Sequence, residues 1–317
     1  MRAEFDEALI QKLYQRLSGI LQPEQILANE NMSAHTTFRV GGGADIFVEI
    51  NRESELEKVL GALRAEGLTR LNEDFYLLGN GSNVLVSDRG IRGVVLHLTK
   101  EYGRIRVNGT ELVCEAGATL AAIARRAYEN SLTGFEFASG IPGSLGGAVV
   151  MNAGAYGGEM RHVVRRVRLM TPAGEIVEKS AEEMHFGYRH SLLKEEPLIV
   201  TQVTLALARG IQPEIREKME ELAARRREKQ PLEYPSAGST FKRPEGYFAA
   251  KLIEDAGLRG FAVGGAQVSE KHCGFVVNKG DATASEVREL IAQVQRRVKG
   301  SSQVTIEPEV IMLGFEE

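Results

Sequence analysis

Two glycine-rich segments carry residue types and spacing suited to cradling an anion: Gly79-Asn-Gly-Ser-Asn83, and Gly140-Ile-Pro-Gly-Ser-Leu-Gly-Gly147 leading into Ala148-Val-Val-Met-Asn152. Successive N–H groups unhindered by side chains can converge on a phosphate, and a helix N-terminus that follows adds its dipole. In the second segment Pro142 fixes one φ and four glycines let backbone approach a ligand, a combination that suits a pyrophosphate. The competing reading is a set of tight turns in a compact strand-rich domain, since glycines usually mark turns. Two familiar phosphate loops are excluded. Ile46 and Val84 stand where Gly41-x-Gly43 and Gly79-x-Gly81 would need a third glycine for the dinucleotide fingerprint, and no Gly-Lys dipeptide exists for a P-loop. The six histidines form neither HExxH nor a paired Cys/His spacing, so no metal site is expected.

These loops need elements to position them, and the chain has enough of both residues and hydrophobicity to supply them. Its 317 residues correspond to about two domains. Glycine is abundant (34) while proline is sparse (9), and 43% of residues are hydrophobic, a balance that fits a folded chain with many special backbone positions rather than low complexity. Twenty of those glycines fall between Gly41 and Gly158. A formal charge of −4 supplies no basic field for nucleic acid or an acidic membrane surface. The uncharged run 137–158 has spanning length but holds seven glycines, Pro142 and Asn152, so it does not read as a membrane span. Acidic Glu4, Asp6 and Glu7 argue against a secretory signal, and Phe5, Leu9, Leu13 and Leu17 predict an amphipathic helix over 1–17. Cys114 and Cys273 are expected to be reduced and buried, and the compartment cytoplasmic.

Periodicity predicts a helix opened by a Ser54/Glu57 capping pair, one over 119–130, a charged one from Pro213 to about Lys229, and one capped by Thr283 and Glu286. Strands are predicted at 75–78, 84–86, 94–98, 105–107, 112–114, 163–170, 175–178, 198–207, 264–268, 275–278 and 304–312. A second unit is expected to begin near Gly210.

The glycine segments, together with Asn152-Ala-Gly-Ala-Tyr-Gly157, resemble the vanillyl-alcohol-oxidase-type FAD-binding fold. Phe186-Gly-Tyr-Arg-His-Ser191, Ser236-Ala-Gly-Ser-Thr-Phe-Lys242 and Glu307-Pro-Glu-Val310 narrow the resemblance to the UDP-N-acetylenolpyruvoylglucosamine reductase family, from about Thr36 to the C-terminus. The resemblance implies an α+β fold: an N-terminal helix (1–19), two lobes of a PCMH-type FAD-binding domain (20–100 and 101–208) and a C-terminal α+β substrate-binding domain (209–317). It implies non-covalent FAD, NADPH as reductant, a UDP-sugar partner, and a monomeric enzyme of peptidoglycan precursor synthesis. Covalent attachment through His35 or His97, known in relatives of the fold, is not expected.

In that family an enolpyruvyl ether is reduced to a lactyl ether: hydride reaches the vinyl carbon, and an enolate forms that must be stabilised and protonated. Arg189 matches the catalytic arginine, whose guanidinium fork suits a carboxylate gaining charge. Ser239 matches the proton donor and Glu309 the third catalytic group. Without the resemblance they read as a surface arginine, a loop serine and an edge-strand glutamate. The motifs assign Asn80, Gly81, Ser82, Asn83, Gly140, Ile141, Pro142, Gly143, Gly146, Gly147, Asn152, Gly154 and Ala155 to the cofactor. Tyr156, Tyr188, Lys229, His272 and Asn278 are assigned to substrate; for the tyrosines the alternative is burial in the core, and for Lys229 a favourable end to the helix dipole. Two departures stand out. No tyrosine occurs between Tyr188 and Tyr234, so the chain resembles the shorter branch lacking the loop that closes over the diphosphate, and Arg243 replaces the asparagine common in relatives. The rival functions are an FAD oxidase of the same fold and a non-catalytic nucleotide-sugar-binding protein.

Overall fold

The computed structural model describes residues 5–315. The start of the expected N-terminal helix, residues 1–4, lies outside the described residues. The chain forms two compact units that interleave in sequence: Met1–Asn29, Asp45–Gly79 and Gly93–Ala224 make the first, while Glu30–Ala44, Asn80–Arg92 and Arg225–Glu317 make the second. Each unit has its own apolar cluster.

In the first unit, helix Glu7–Ser18 starts where the Asp6 carboxylate accepts the Leu9 N–H at 2.8 Å, and it buries Leu13 and Leu17 against helix Glu53–Ala65. The predicted Ser54/Glu57 capping pair is not used. Arg52 occupies the cap, and Glu55 instead accepts the Asn51 N–H at 2.9 Å and Arg52 Nε at 2.6 Å. Burial alone would raise the Glu55 pKa, but these bonds and one from Gln25 outweigh it and hold the carboxyl below its ordinary value. A sheet in the order Ile26–Asn31, Gly43–Ile50, Ile91–Leu98, Phe75–Leu78 packs with these helices, the last two strands being parallel with Phe75 opposite Val94. A second, antiparallel sheet runs Ile176–Ser180, Val164–Met170, Ile199–Ala206, Glu111–Glu115, Ile105–Asn108. Helix Leu120–Glu129, capped by the Thr119 hydroxyl, packs its apolar stripe into the same core.

The second unit centres on helix Ala284–Ser302, which buries Val287, Leu290, Ile291, Val294 and Val298 on one face. Its predicted Thr283/Glu286 capping box is present in both directions. Strands Ala262–Val263, Ala266–Val268 and Val276–Asn278 form an antiparallel sheet beside it. The strand predicted over 304–312 is confined to Ile311–Leu313, which pairs in parallel with Val84–Val86. Pro308 lacks the N–H that a continuous ladder requires, and an isolated bridge to Phe241 takes its place.

Cys114 lies in the first unit and Cys273 in the second, both free and buried; burial pushes the Cys114 thiol up to about 12, so it is protonated at neutral pH. Among the described residues no helix is long and apolar enough to cross a membrane.

Candidate functional site

In the first unit the loop 140–147 is stitched to the strand-to-helix connection that follows Glu111–Glu115. Leu120 N–H donates to Gly143 O at 3.1 Å, Leu145 N–H to Ala118 O at 2.8 Å, and Gly146 N–H to Ala116 O at 2.9 Å. The first two amides of the short helix Leu145–Val150 are therefore bonded to protein, and a Cβ at Gly146 would press on Ala116. The start of the other glycine segment meets this loop: any side chain on Gly79 would run into the Ser144 hydroxyl. Gly140, Pro142 and Gly147 are exposed, Ile141 and Gly143 half-buried, and a Cβ at Gly147 would have only Ser144 Oγ near it. The stretch 137–158 carries no charged side chain. An uncharged, backbone-lined loop without a carboxylate to repel phosphates is chemically compatible with the pyrophosphate of FAD.

Beyond it, Asn152 is 1% exposed and adopts a left-handed φ of 41°. Its Nδ2 donates to Glu159 Oε2 at 2.9 Å and Gly187 O at 2.8 Å, while its Oδ1 accepts the Arg161 N–H at 2.9 Å. Two donors facing oxygens and one acceptor facing an N–H fix the amide's orientation. The side chain thus bonds to protein groups on two segments. One is the hairpin in which Gly154 and Ala155 pair with Glu159 and Gly158. Its two central residues, Tyr156 (φ 54°) and Gly157 (φ 87°), both take positive φ, the requirement of a tight two-residue hairpin turn. The other is a turn in which Gly187 and His190 exchange N–H···O bonds of 3.1 and 3.2 Å, with Tyr188 and Arg189 at its tip. Arg189 also has positive φ, 53°, and its guanidinium lies 5.3 Å from the centre of the Tyr188 ring. Tyr156 and Tyr188 are 42% and 52% exposed, which removes core packing as the explanation for either.

The second unit brings Ser239 and Glu309 onto neighbouring extended segments. Ser239 bridges Phe275, Thr240 N–H donates to Gly274 O at 2.8 Å, and Glu309 N–H donates to Thr240 O at 2.8 Å. The buried Thr240 hydroxyl also accepts the Val276 N–H at 2.9 Å. Asn83 joins the same network, its Nδ2 donating to Glu309 O at 3.2 Å and its carbonyl accepting the Ile311 N–H at 3.0 Å. Gly81, at φ 59°, sits so close to the His35 carbonyl that no side chain fits. Asn80 is exposed and Ser82 half-buried.

The remaining predicted substrate residues differ in character. Asn278 is 3% exposed, and its side chain donates to Phe38 O at 3.1 Å and accepts the Gly280 and Ala282 N–H groups at 2.8 and 3.2 Å. His272 is half-buried, accepts the Gly274 N–H on Nδ1 at 3.1 Å and packs edge-on against Phe275. Burial pushes its pKa below the usual imidazole range, with the Arg259 charge adding to the effect, so at neutral pH its proton sits on Nε2. Lys229 is exposed at the end of helix Gln212–Lys229. Arg243 stacks 3.8 Å from the centre of the exposed Phe248 ring. Catalytic candidates are thus found in both units, Arg189 in the first and Ser239 with Glu309 in the second.

Thr240 and Ser144 lie inside the motifs Ser236–Lys242 and Gly140–Gly147, yet their residue types alone do not mark them as parts of the site. Polar residues flanked by glycine motifs and followed by an apolar residue were the available signal.

Comparison with known proteins matches residues 44–180 to the FAD binding domain and residues 230–313 to the C-terminal domain of UDP-N-acetylenolpyruvoylglucosamine reductase. The UDP-N-acetylenolpyruvoylglucosamine reductase of Caldanaerobacter subterraneus subsp. tengcongensis is 50% identical over 302 residues, 95% of this chain and 98% of its own. That of Clostridioides difficile is 48% identical over 304 residues, 96% of this chain and 98% of its own. The crystal structure of the Thermus caldophilus reductase superposes with a TM-score of 0.77 at 35% identity, covering 91% of this chain and 98% of that one.

Proposed function

Because the chain belongs to the UDP-N-acetylenolpyruvoylglucosamine reductase family and carries its FAD-binding domain, we propose that it reduces UDP-N-acetylglucosamine enolpyruvate to UDP-N-acetylmuramate with NADPH, in the cytoplasm, for peptidoglycan precursor synthesis. The chemistry FAD supplies when bound is hydride carriage from NADPH to the distal vinyl carbon of the enolpyruvyl ether. The residues 80–83, 140–143, 146–147, 152 and 154–155 are the proposed cofactor contacts, through backbone where their side chains are engaged elsewhere. The segments 20–100 and 101–208 are the proposed flavin-holding lobes, and 209–317 the substrate-binding domain.

The chain's own residues manage charge and the proton. Arg189 pairs with the substrate carboxylate as it gains charge in the enolate, and Glu309 assists it. Ser239 donates its Oγ proton to the carbon beside the carboxylate, completing the lactyl ether. The observation that supports this assignment is the backbone network shared by Ser239, Thr240 and Glu309, in which the proposed acid and the proposed enolate-stabilising group lie on neighbouring extended segments. Tyr156, Tyr188, Lys229, His272 and Asn278 are the proposed substrate-side residues.

The test is optical. The purified protein is expected to be yellow, to bleach anaerobically with NADPH, and to recover its colour when the enolpyruvyl sugar nucleotide is added without oxygen. Recovery only on admitting oxygen would identify an oxidase instead, and a colourless or NADPH-inert protein a binding module.

A further inference from the structure

We propose that Asn152 is a positioning residue for Arg189, acting through the carbonyl of Gly187; this inference rests on the reductase reading above. The Gly187 carbonyl accepts two hydrogen bonds, one from the His190 N–H that closes the turn and one from Asn152 Nδ2 at 2.8 Å. The first is internal to the turn and fixes its shape; the second fixes where the turn sits on the rest of the unit. Ser191, at the far end, ties the same segment to the end of helix Leu145–Val150 by donating its hydroxyl to Val150 O at 2.8 Å. The turn that bears Tyr188 and Arg189 is therefore held on both flanks by side chains bonded to backbone carbonyls.

The remaining bonds of Asn152 extend this into a clamp. Through Glu159 Oε2 and the Arg161 N–H it also holds the hairpin whose tip is Tyr156. Glu159 in turn pairs with Arg161 at 3.0 Å. A single buried amide thereby sets the separation between two exposed tips, one carrying Tyr156 and the other Tyr188 and Arg189. The left-handed φ at position 152 explains why asparagine serves, since it tolerates that conformation and offers a donor and an acceptor together.

If the guanidinium must meet developing charge, slight displacement of its turn weakens the enolate-forming half-reaction more than reduction by NADPH. Asn152→Asp keeps the shape, the tolerance of positive φ and the acceptor for Arg161, and removes the Nδ2 donor to both Gly187 O and Glu159 Oε2, setting a second carboxyl beside that of Glu159. In the holoenzyme variant, compared with the parent at equal flavin content, anaerobic reoxidation by the enolpyruvyl sugar nucleotide is expected to slow about ten- to a hundredfold, a larger factor than any change in its bleaching by NADPH. The maximum rate should fall more than the half-saturating substrate concentration rises. In an Arg189→Ala background the same substitution should change reoxidation less than twofold, because no guanidinium remains to be placed.

Parent-like reoxidation in Asn152→Asp, or an effect that simply adds to that of Arg189→Ala, would overturn the assignment. Should Asn152→Asp fail to fold, Asn152→Gly, which tolerates the same φ, replaces it under the same criteria. Loss of flavin from both variants would also overturn it in favour of a cofactor-holding role. An unsubstituted protein that is not reoxidised by the substrate would instead sink the reductase reading itself.

Discussion

The two units present their catalytic candidates by different physical means. In the first, Arg189 stands at the tip of a turn in a left-handed conformation, anchored by single side-chain hydrogen bonds from Asn152 and Ser191. In the second, Ser239 and Glu309 lie on extended chain tied by backbone bonds through Thr240. A backbone ladder survives most substitutions, because the groups that hold it are common to every residue except proline. A side-chain anchor does not. Positive φ at Asn152, Tyr156, His185 and Arg189 adds to the contrast, since such residues cost of the order of 1 kcal/mol each unless their surroundings hold them. The first unit should therefore be tuned, and damaged, by second-neighbour side chains, whereas the second should lose function mainly through its reacting groups.

The largest effect expected of a single change is at Ser239. Ser239→Ala should leave bleaching by NADPH intact and slow anaerobic reoxidation by roughly 10²–10⁴-fold; stopped-flow absorbance of the flavin reads both steps. Arg189→Ala should follow, at roughly 10²–10³-fold on the same step. Equal slowing of both half-reactions by either variant would erase the division of labour.

A sharper contrast comes from Thr240→Val. It deprives the Val276 N–H of its acceptor in a buried site and should cost about 1–3 kcal/mol in urea denaturation. Reoxidation should nevertheless stay within a few-fold of the parent, because the Glu309 N–H still meets the position-240 carbonyl. Loss as severe as that of Arg189→Ala would show that the ladder is no more tolerant than the turn.

The smallest effect is expected at Asp88, whose carboxylate accepts the Ala284 N–H at 2.7 Å, the Ser285 N–H at 2.8 Å and the Ser285 hydroxyl at 2.6 Å, at the start of helix Ala284–Ser302. Burial opposes ionisation here, but these bonds outweigh it and hold the pKa below the ordinary aspartate value. A depressed carboxyl pKa stabilises the fold fully above the unfolded value, about 3.9, and loses that contribution as pH falls through the folded value. Asp88→Ala should thus cost about 1 kcal/mol at pH 7, and the gap to the parent should close below about pH 4. A gap that persists undiminished in acid would contradict the assignment of the charge.

Local chemistry was the legible part of the sequence. Thr119 and Thr283 cap helices as their spacing predicts, and the strands Phe75–Leu78 and Val84–Val86 fall where their apolar runs do. The Ser54/Glu57 pair failed because Glu55, drawn in by Gln25 thirty residues earlier, competes for the same end. The strand expected over 304–312 failed at Pro308. The site divides along the same line. Motifs point to Arg189, Ser239 and Glu309, but the partner of Asn152 is a backbone carbonyl 35 residues away, and a carbonyl leaves no mark in sequence. Nor does periodicity reveal that 30–44 and 80–92 fold with the C-terminal segment, since that grouping depends on long-range packing.

The most direct test of the central claim is stoichiometry. Under strict exclusion of oxygen, the protein should consume one NADPH for each enolpyruvyl sugar nucleotide converted, and the product should be heavier by two hydrogens, with a lactyl in place of the enolpyruvyl ether. NADPH consumption that requires oxygen, yields peroxide and leaves the sugar nucleotide unchanged would contradict it.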